Sequence, residues 1–185
     1  RFTKIIMNGQ LIKQLNFKTL FSIALPISIQ SLLQSSLGMI DQIMIGQLGE
    51  TAVASVNLGT RLMFIMVYSL SGISAVSSIY TSQYEGAGTK EKHSAVMKIT
   101  ILEGLLCVLP FLIAGLFFPQ QIVRIFSEDN TVIQKGANYL FITAFGFIPK
   151  LFSISISAIL RCTGKAKITL ITGLSSVAIN TVLNF

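Results

Sequence analysis

The stretch Leu25–Gly49, LPISIQSLLQSSLGMIDQIMIGQLG, is a long apolar segment that contains a single acid, Asp41. No charged residue occurs in the 22 positions from Thr19 to Ile40. At about 1.5 Å of rise per residue, a helix of that length crosses a hydrocarbon core of about 30 Å. We therefore predict a membrane-spanning helix here. Hydrophobic residues continue at 43–45, so the helix is predicted to extend past the acid rather than end before it.

The composition of the whole chain is that of a membrane protein. Of its 185 residues, 52% are hydrophobic and 11% are charged, and the mean hydropathy is +0.73. Soluble domains average about 25% charged residues. These values predict an all-α polytopic membrane protein, and they exclude the water-soluble classes.

Charged and turn-forming residues divide the chain into a basic leader and five apolar segments. We predict that residues 1–18 form a cytoplasmic leader and that residues 19–185 form a transmembrane region. The five predicted spans are about Thr19–Leu48, Ala52–Tyr84, Met97–Phe118, Gly136–Leu160 with an interruption at Pro149-Lys150, and a segment that begins near Ile168. Because the fifth segment is still apolar at Phe185, we expect the chain to be truncated within its fifth helix and to belong to a longer protein.

The distribution of lysine and arginine predicts how the chain is oriented in the membrane. Of the 14 Lys and Arg residues, ten lie in the leader, the second loop and the loop before the fifth span, and three lie on the other side. The positive-inside rule then places the N-terminus in the cytoplasm and Asp41 in the outer half of the first span. Membrane topology thus accounts for the net charge of +7, and we predict no nucleic-acid partner.

Polar residues recur at helical spacing in three of the predicted spans. In the first span, Gln30, Gln34 and Asp41 share one face. Further stripes in the fourth and fifth spans consist of Tyr139, Thr143, Gly146, Lys150, Ser153, Ser157 and Arg161, and of Thr169, Thr172, Ser176, Asn180 and Asn184. Amides and acids avoid lipid, so we predict that these faces converge on a polar cavity. The alternative is that the serine, threonine and glycine positions only allow close helix packing.

A carboxylate within a membrane span is costly, so Asp41 is a candidate functional residue. Two roles are open for it in a polar cavity. It can take up and release a proton, or it can remain ionised and coordinate a cation such as Na⁺ together with neutral amide oxygens. Lys150 either pairs with Asp41 or extends to the cytoplasmic interface.

Other chemistry finds little support in the sequence. Cys107 and Cys162 lie in apolar or interfacial surroundings, and the single histidine, His93, has no partner at ligand spacing. We therefore predict no metal centre and no disulfide. Neither a nucleophile–base pair nor a cofactor motif is found, so we predict that the chain is not an enzyme and has no cofactor.

Four stretches of the chain resemble motifs of the multidrug and toxic compound extrusion (MATE) family. The first, LPISIQSLLQSSLGMIDQIMIGQLGETAVAS at 25–55, is similar to the family's first helix and the turn after it. SQYEGAGTKEKHS at 82–94 resembles the loop between the second and third helices. LRCTGKAK at 160–167 resembles an L-R-G-x-G-x-x-K turn with Cys162 in place of Gly, and INTVLNF at 179–185 resembles an N-x-x-L-D stretch. The four motifs follow the family's order and spacing.

The resemblance implies a twelve-helix antiporter in the plasma membrane of a bacterial cell, built from two six-helix lobes. This chain would be most of the N-terminal lobe, with the C-terminal lobe, the lipid bilayer and small-molecule drugs as its partners. Such transporters export cationic or amphipathic compounds in exchange for H⁺ or Na⁺.

The resemblance also assigns residues to roles. The implied ion-coupling residues are Asp41, Asn180, Asn184 and Tyr139. The implied substrate cavity contains Gln34, and the polar stripes add Gln30, Ser153, Ser157 and Lys150. Asn184 stands where the family often has Asp. One carboxylate instead of two favours proton coupling through Asp41 over a Na⁺ site.

Two alternatives to drug efflux remain open at this point. A flippase for lipid-linked saccharides, from the same superfamily, would need a strongly cationic cavity, for which only Lys150 is available in the spans. A membrane scaffold without transport activity would not need Asp41 at all.

Overall fold

The computed structural model describes residues 17–89 and 91–184, and within these ranges the chain consists of helices and short connections. The predicted leader therefore lies outside the described residues except for its last two positions. The helices are α1 (Phe17–Gly46), α2 (Glu50–Gly86), α3 (Lys92–Phe117), α4 (Pro119–Arg124), α5 (Asn130–Ala144), α6 (Phe147–Cys162) and α7 (Ala166–Asn184). The all-α prediction is confirmed.

Five helical segments correspond to the five predicted spans: α1, α2, α3, the pair α5 and α6, and α7. In the described part of the chain, α2 and α3 are each long and apolar enough to cross a membrane. The pair α5 and α6 adds a third crossing if it is taken as one bent span. The apolar part of α7, Ala166–Val182, is shorter. Many large apolar side chains lie on the outer surface of these helices, as expected of a protein that faces lipid.

Helix α2 forms the centre of the bundle and packs against α3, α5 and α6. Its buried residues Leu62, Met66 and Leu70 recur every four positions and therefore form one continuous face. The core side chains that surround this face are Val108 of α3, Leu140 of α5, and Phe147 and Leu151 of α6. By contrast, α1 packs chiefly against α7 and has a smaller contact with α2.

The fourth predicted span is broken earlier than the sequence suggested. Helices α5 and α6 meet at an angle of 52°, and the break falls at Phe145-Gly146 rather than at Pro149-Lys150. The proline explains the displacement, because its ring clashes with the carbonyl group four residues earlier, which is that of Phe145. Pro149 itself lies in the first turn of α6, where its missing N–H group is not needed. The polar stripe predicted for this span is consequently divided between two helices.

Helix α5 also begins earlier than predicted, at Asn130 instead of Gly136. The carboxylate of Asp129 accepts hydrogen bonds from the backbone N–H groups of Thr131, at 2.7 Å, and Val132, at 3.3 Å. This is an N-cap, which satisfies donors that have no partner within the helix. The segment SEDN at 127–130 is therefore a helix start within a shorter connection than the sequence suggested.

We expect Asp129→Ala to lower the free energy of unfolding by about 1 kcal/mol, because two N–H groups lose their acceptor. Asp129→Asn keeps a side-chain oxygen at the same position and should remain within a few tenths of a kcal/mol of the wild type. Thermal unfolding of the full-length parent protein in detergent measures both variants. An unchanged free energy of unfolding in Asp129→Ala would show that the cap does not stabilise α5.

Candidate functional site

Three helices contribute residues to one cavity of about 260 Å³. Asp41, Met44 and Ile45 come from α1, Tyr139 from α5 and Asn180 from α7. The polar members are a carboxylate, a phenol and an amide. Asp41 and Tyr139 are about 100 residues apart in the sequence, and Tyr139 and Asn180 are about 40 residues apart. We call this the Asp41 cavity. Three of the four residues predicted to couple ions are thus brought together.

The contact between α1 and α7 positions Asp41 and Asn180. Gly173 of α7 has no side chain, and a Cβ atom there would lie 3.3 Å from Cγ and Nε2 of Gln30. The amide of Gln30 therefore rests directly on the backbone of α7. Asp41 and Asn180 both lie beyond this contact in the C-terminal direction, so α1 and α7 run side by side in the same direction up to the cavity.

A close approach between α2 and α5 positions Tyr139. A Cβ atom at Gly59 of α2 would lie 2.8 Å from the carbonyl oxygen of Gly136 and 3.0 Å from Cδ1 of Tyr139. The Tyr139 ring consequently packs against the bare backbone of α2 and is half-buried. From there Tyr139 faces Asp41 across the cavity.

The predicted substrate-cavity residues do not line the Asp41 cavity in the described part of the chain. Gln30 lies at the α1–α7 contact, and Gln34 is exposed on α1. On α6, Lys150 and Ser153 are exposed and Ser157 is half-buried. The 52° bend between α5 and α6 lies between these three residues and Tyr139 along the chain. Their roles stay predictions, as does that of Asn184, whose side chain lies outside the described residues.

The polar groups of the Asp41 cavity limit the ions that it can hold. Its described lining offers one carboxylate, one phenol and one amide. Within the described residues there is also no group of three or more His, Cys, Asp or Glu side chains that could hold a metal ion. A single acid can bind one proton and change its charge by one unit, whereas a hard cation is usually held by six or more oxygen ligands.

Two features next to the cavity were not found from the sequence. Gln42 donates a hydrogen bond from Nε2 to Oδ1 of Asn57 at 3.4 Å, which links α1 to α2 beside Asp41. Arg61 lies over the ring of Phe126, with 5.0 Å from its Cζ atom to the ring centroid, a cation–π contact. Asn57, Arg61 and Phe126 help to line a second cavity of about 590 Å³, together with Phe64, Ile65 and Tyr68. Of these features, only the Gln42 contact had an indication in the sequence, because its amide stands within an otherwise apolar run.

Comparison with known families decides what kind of protein this is. A model of the MatE family matches residues 26–185, which is most of the chain and includes every residue of the Asp41 cavity. The chain belongs to the MATE family. It is accordingly a membrane protein, as the composition predicted.

Individual relatives agree with this assignment. The chain is 26% identical over 164 residues to the "Probable multidrug resistance protein NorM" of Burkholderia mallei, a match that covers 88% of this chain and 35% of that protein. It is 26% identical over 168 residues to the protein of the same name from Bacillus subtilis, covering 91% of this chain and 37% of the relative. A Synechococcus relative with that name is 23% identical over 165 residues. The MATE chain described here therefore spans about a third of the length of these relatives.

Proposed function

We propose that this MATE chain is part of a secondary active transporter in the plasma membrane that exports cationic or amphipathic compounds in exchange for H⁺. The observation that carries the proposal is the Asp41 cavity, where an acid within an apolar helix meets Tyr139 and Asn180 from two other helices. An acid in such a place is expected to bind ions or substrates. The names of the NorM relatives support multidrug compounds as the cargo.

In the proposed mechanism, protonation of Asp41 removes the charge that faces Tyr139 and Asn180. The polar contacts across the cavity weaken, and α1 bends near Pro26 or Gly38. A Cβ atom at Gly38 would meet no atom within 4 Å, so the described neighbours leave room for α1 to move there. The cavity then closes and releases its cargo to the outside, and loss of the proton resets it. A second lobe, provided by the rest of the protein, completes this alternating access.

Neither alternative is favoured by an observation. A flippase for lipid-linked saccharides needs a cationic cavity, whereas the described lining of the Asp41 cavity holds an acid and neither Lys nor Arg. A scaffold would have no use for an acid that faces polar groups of two neighbouring helices. The transporter proposal also makes the chain a non-enzyme, since transport needs no covalent chemistry.

Proteoliposomes that contain the full-length parent protein test the proposal. We expect uptake of a fluorescent cationic drug when a pH gradient is imposed across the vesicle membrane, because the proton is the exchanged ion. A Na⁺ gradient of equal size should give no uptake above that of protein-free vesicles. Uptake driven by Na⁺ alone would replace H⁺ by Na⁺ as the coupling ion. If neither gradient drives uptake of any cationic drug, the flippase and scaffold alternatives are the ones to test next.

A further inference from the structure

The cavity of about 590 Å³ beside Arg61 has no part in the proposed transport mechanism. We call it the Arg61 cavity. Its described lining consists of one cation, one amide and four aromatic or aliphatic side chains, and it contains neither Asp nor Glu. Phe64, Ile65 and Tyr68 are each more than half exposed, so the cavity opens on the surface of the helix bundle. A cavity with this charge attracts anions, unlike the Asp41 cavity.

Arg61 lies at one end of the apolar part of α2. The 23 positions that follow it, 62–84, carry no charged residue. As a helix they cover about 34 Å, which is close to the hydrocarbon thickness of about 30 Å. Arg61 is therefore expected at the level of the lipid head groups. The orientation predicted from the distribution of Lys and Arg makes this the outer leaflet.

The guanidinium group of Arg61 is held in place but has no anionic partner within the chain. Among the residues that the structure describes, no carboxylate forms an ion pair with it and no oxygen atom accepts a hydrogen bond from it. Its Cζ atom is 5.0 Å from the ring centroid of Phe126. This contact orients the side chain and leaves its N–H donors for another ligand. Guanidinium groups bind phosphate through two parallel hydrogen bonds, so a phosphate group is a suitable ligand.

The polarity of the Arg61 cavity changes along α2. Asn57 lies about one turn from Arg61 on the side away from the apolar segment. Its Oδ1 accepts a hydrogen bond from Gln42 at 3.4 Å, which leaves its NH₂ group as a second donor. In the opposite direction, the rings of Phe64 and Tyr68 lie about one and two turns into the apolar segment. Donors at the head-group level and apolar side chains below them match the order of groups in a phospholipid.

We propose that the Arg61 cavity binds an anionic phospholipid. Arg61 and Asn57 donate hydrogen bonds to its phosphate group, and its acyl chains lie along Phe64, Ile65 and Tyr68. A free phosphate ion would contact only the donors and leave the apolar part of the 590 Å³ cavity unused. A zwitterionic head group brings an ammonium group, for which the described lining offers no acid. This site goes beyond the proposed function, because its ligand is a lipid anion and its binding is measured without transport.

Photolabelling of the full-length parent protein tests the proposal. A phosphatidylglycerol with a diazirine near the glycerol end of one acyl chain is titrated in dodecyl maltoside and phosphate-free buffer, and peptide mapping locates the label. We expect saturable labelling of the α2 segment 57–68, and Arg61→Gln should lower its apparent affinity at least tenfold. Arg124→Gln is the matched control, because Arg124 is an exposed arginine at the end of α4 outside the described lining. It should be labelled as the wild type is.

Two results of this experiment would overturn the proposal. Unchanged labelling of the segment in Arg61→Gln would show that the guanidinium group does not hold the lipid. No labelling of the segment in the wild type would show that the rest of the protein covers the cavity. Thermal unfolding separates binding from a purely structural role of Arg61. Phosphatidylglycerol should raise the melting temperature of the wild type and of Arg124→Gln more than that of Arg61→Gln.

A series of ligands keeps the test decisive if Arg61→Gln does not fold. A diazirine diacylglycerol with the same chains lacks the phosphate group and should label the wild-type segment at least tenfold more weakly. Equal labelling by the two lipids would overturn the proposal, as would displacement of phosphatidylglycerol by inorganic phosphate at the same concentration. Phosphatidylcholine should label more weakly than phosphatidylglycerol, and equal labelling would refute the assignment to an anionic head group. Arg61-dependent labelling of a protein that transports no cation would refute the proposed function and leave this inference intact.

Discussion

Asp41→Asn in the full-length parent protein should reduce efflux of cationic drugs from intact cells to the level of cells that lack the transporter. Asparagine has nearly the same shape as aspartate but cannot bind a proton that changes its charge. The described lining of the Asp41 cavity contains no second acid that could replace it. We therefore expect a loss of more than tenfold in the initial efflux rate, with normal amounts of protein in the membrane. Efflux of a fluorescent cation, measured at several external pH values, gives the rate and its pH dependence.

Two further variants separate loss of coupling from loss of structure. Asp41→Glu keeps a titratable carboxyl group and should retain a measurable, pH-dependent rate. Tyr139→Phe keeps the ring that packs against Gly59 but removes the hydroxyl that faces Asp41. It should shift the pH at which efflux is half-maximal without abolishing efflux. Full efflux in Asp41→Asn would exclude this residue as the coupling site and place that site in another part of the protein.

The periodicity of polar residues predicted that Asp41 of α1 and Asn180 of α7 lie near each other, but not the whole contact, because Gln34, Thr172 and Ser176 of the same stripes are exposed. Asp41 and Asn180 belong to stripes that repeat every three or four residues, and a helix converts such a repeat into one face. Amides and acids in an apolar helix avoid lipid, so a stripe of them packs against polar groups of another helix. The family assignment was likewise available from short motifs, because they occur in the right order. The turn at Gly49, where φ is 94°, was also visible as a glycine between two apolar runs.

The sequence did not reveal where the fourth span breaks or which residues fill the Asp41 cavity. The ring of a proline clashes with the carbonyl group four residues earlier. The helix therefore breaks about one turn before the proline rather than at the proline itself. A stripe drawn through the break therefore placed Tyr139 on one helix face with Lys150, Ser153 and Ser157, whereas the chain bends by 52° between Tyr139 and these three residues. Met44 and Ile45 line the cavity as apolar residues and gave no polar signal.

The close contact between α2 and α5 was invisible in the sequence because it depends on atoms that glycine lacks. Replacing Gly59 by alanine should destabilise the protein by about 1–3 kcal/mol, the usual cost of overpacking a closely packed site. The added Cβ atom would lie 2.8 Å from the backbone oxygen of Gly136, which cannot rotate away. The helices must therefore separate, and the Tyr139 ring, 3.0 Å from the same atom, must move with α5. Transport should consequently fall together with stability.

Gly72→Ala is the matched control, since it makes the same substitution in the same helix. No atom lies within 4 Å of a Cβ at Gly72, so the added methyl group meets open space. Alanine also favours a helix over glycine by about 1 kcal/mol, so this variant should be as stable as the wild type or slightly more stable. Thermal unfolding of both variants in detergent, with drug efflux measured in parallel, compares them directly. If both variants were equally stable, the approach of α2 to α5 would not be what holds Tyr139 at the cavity. A loss at Gly59 alone would show that a glycine on one helix positions a polar side chain on another.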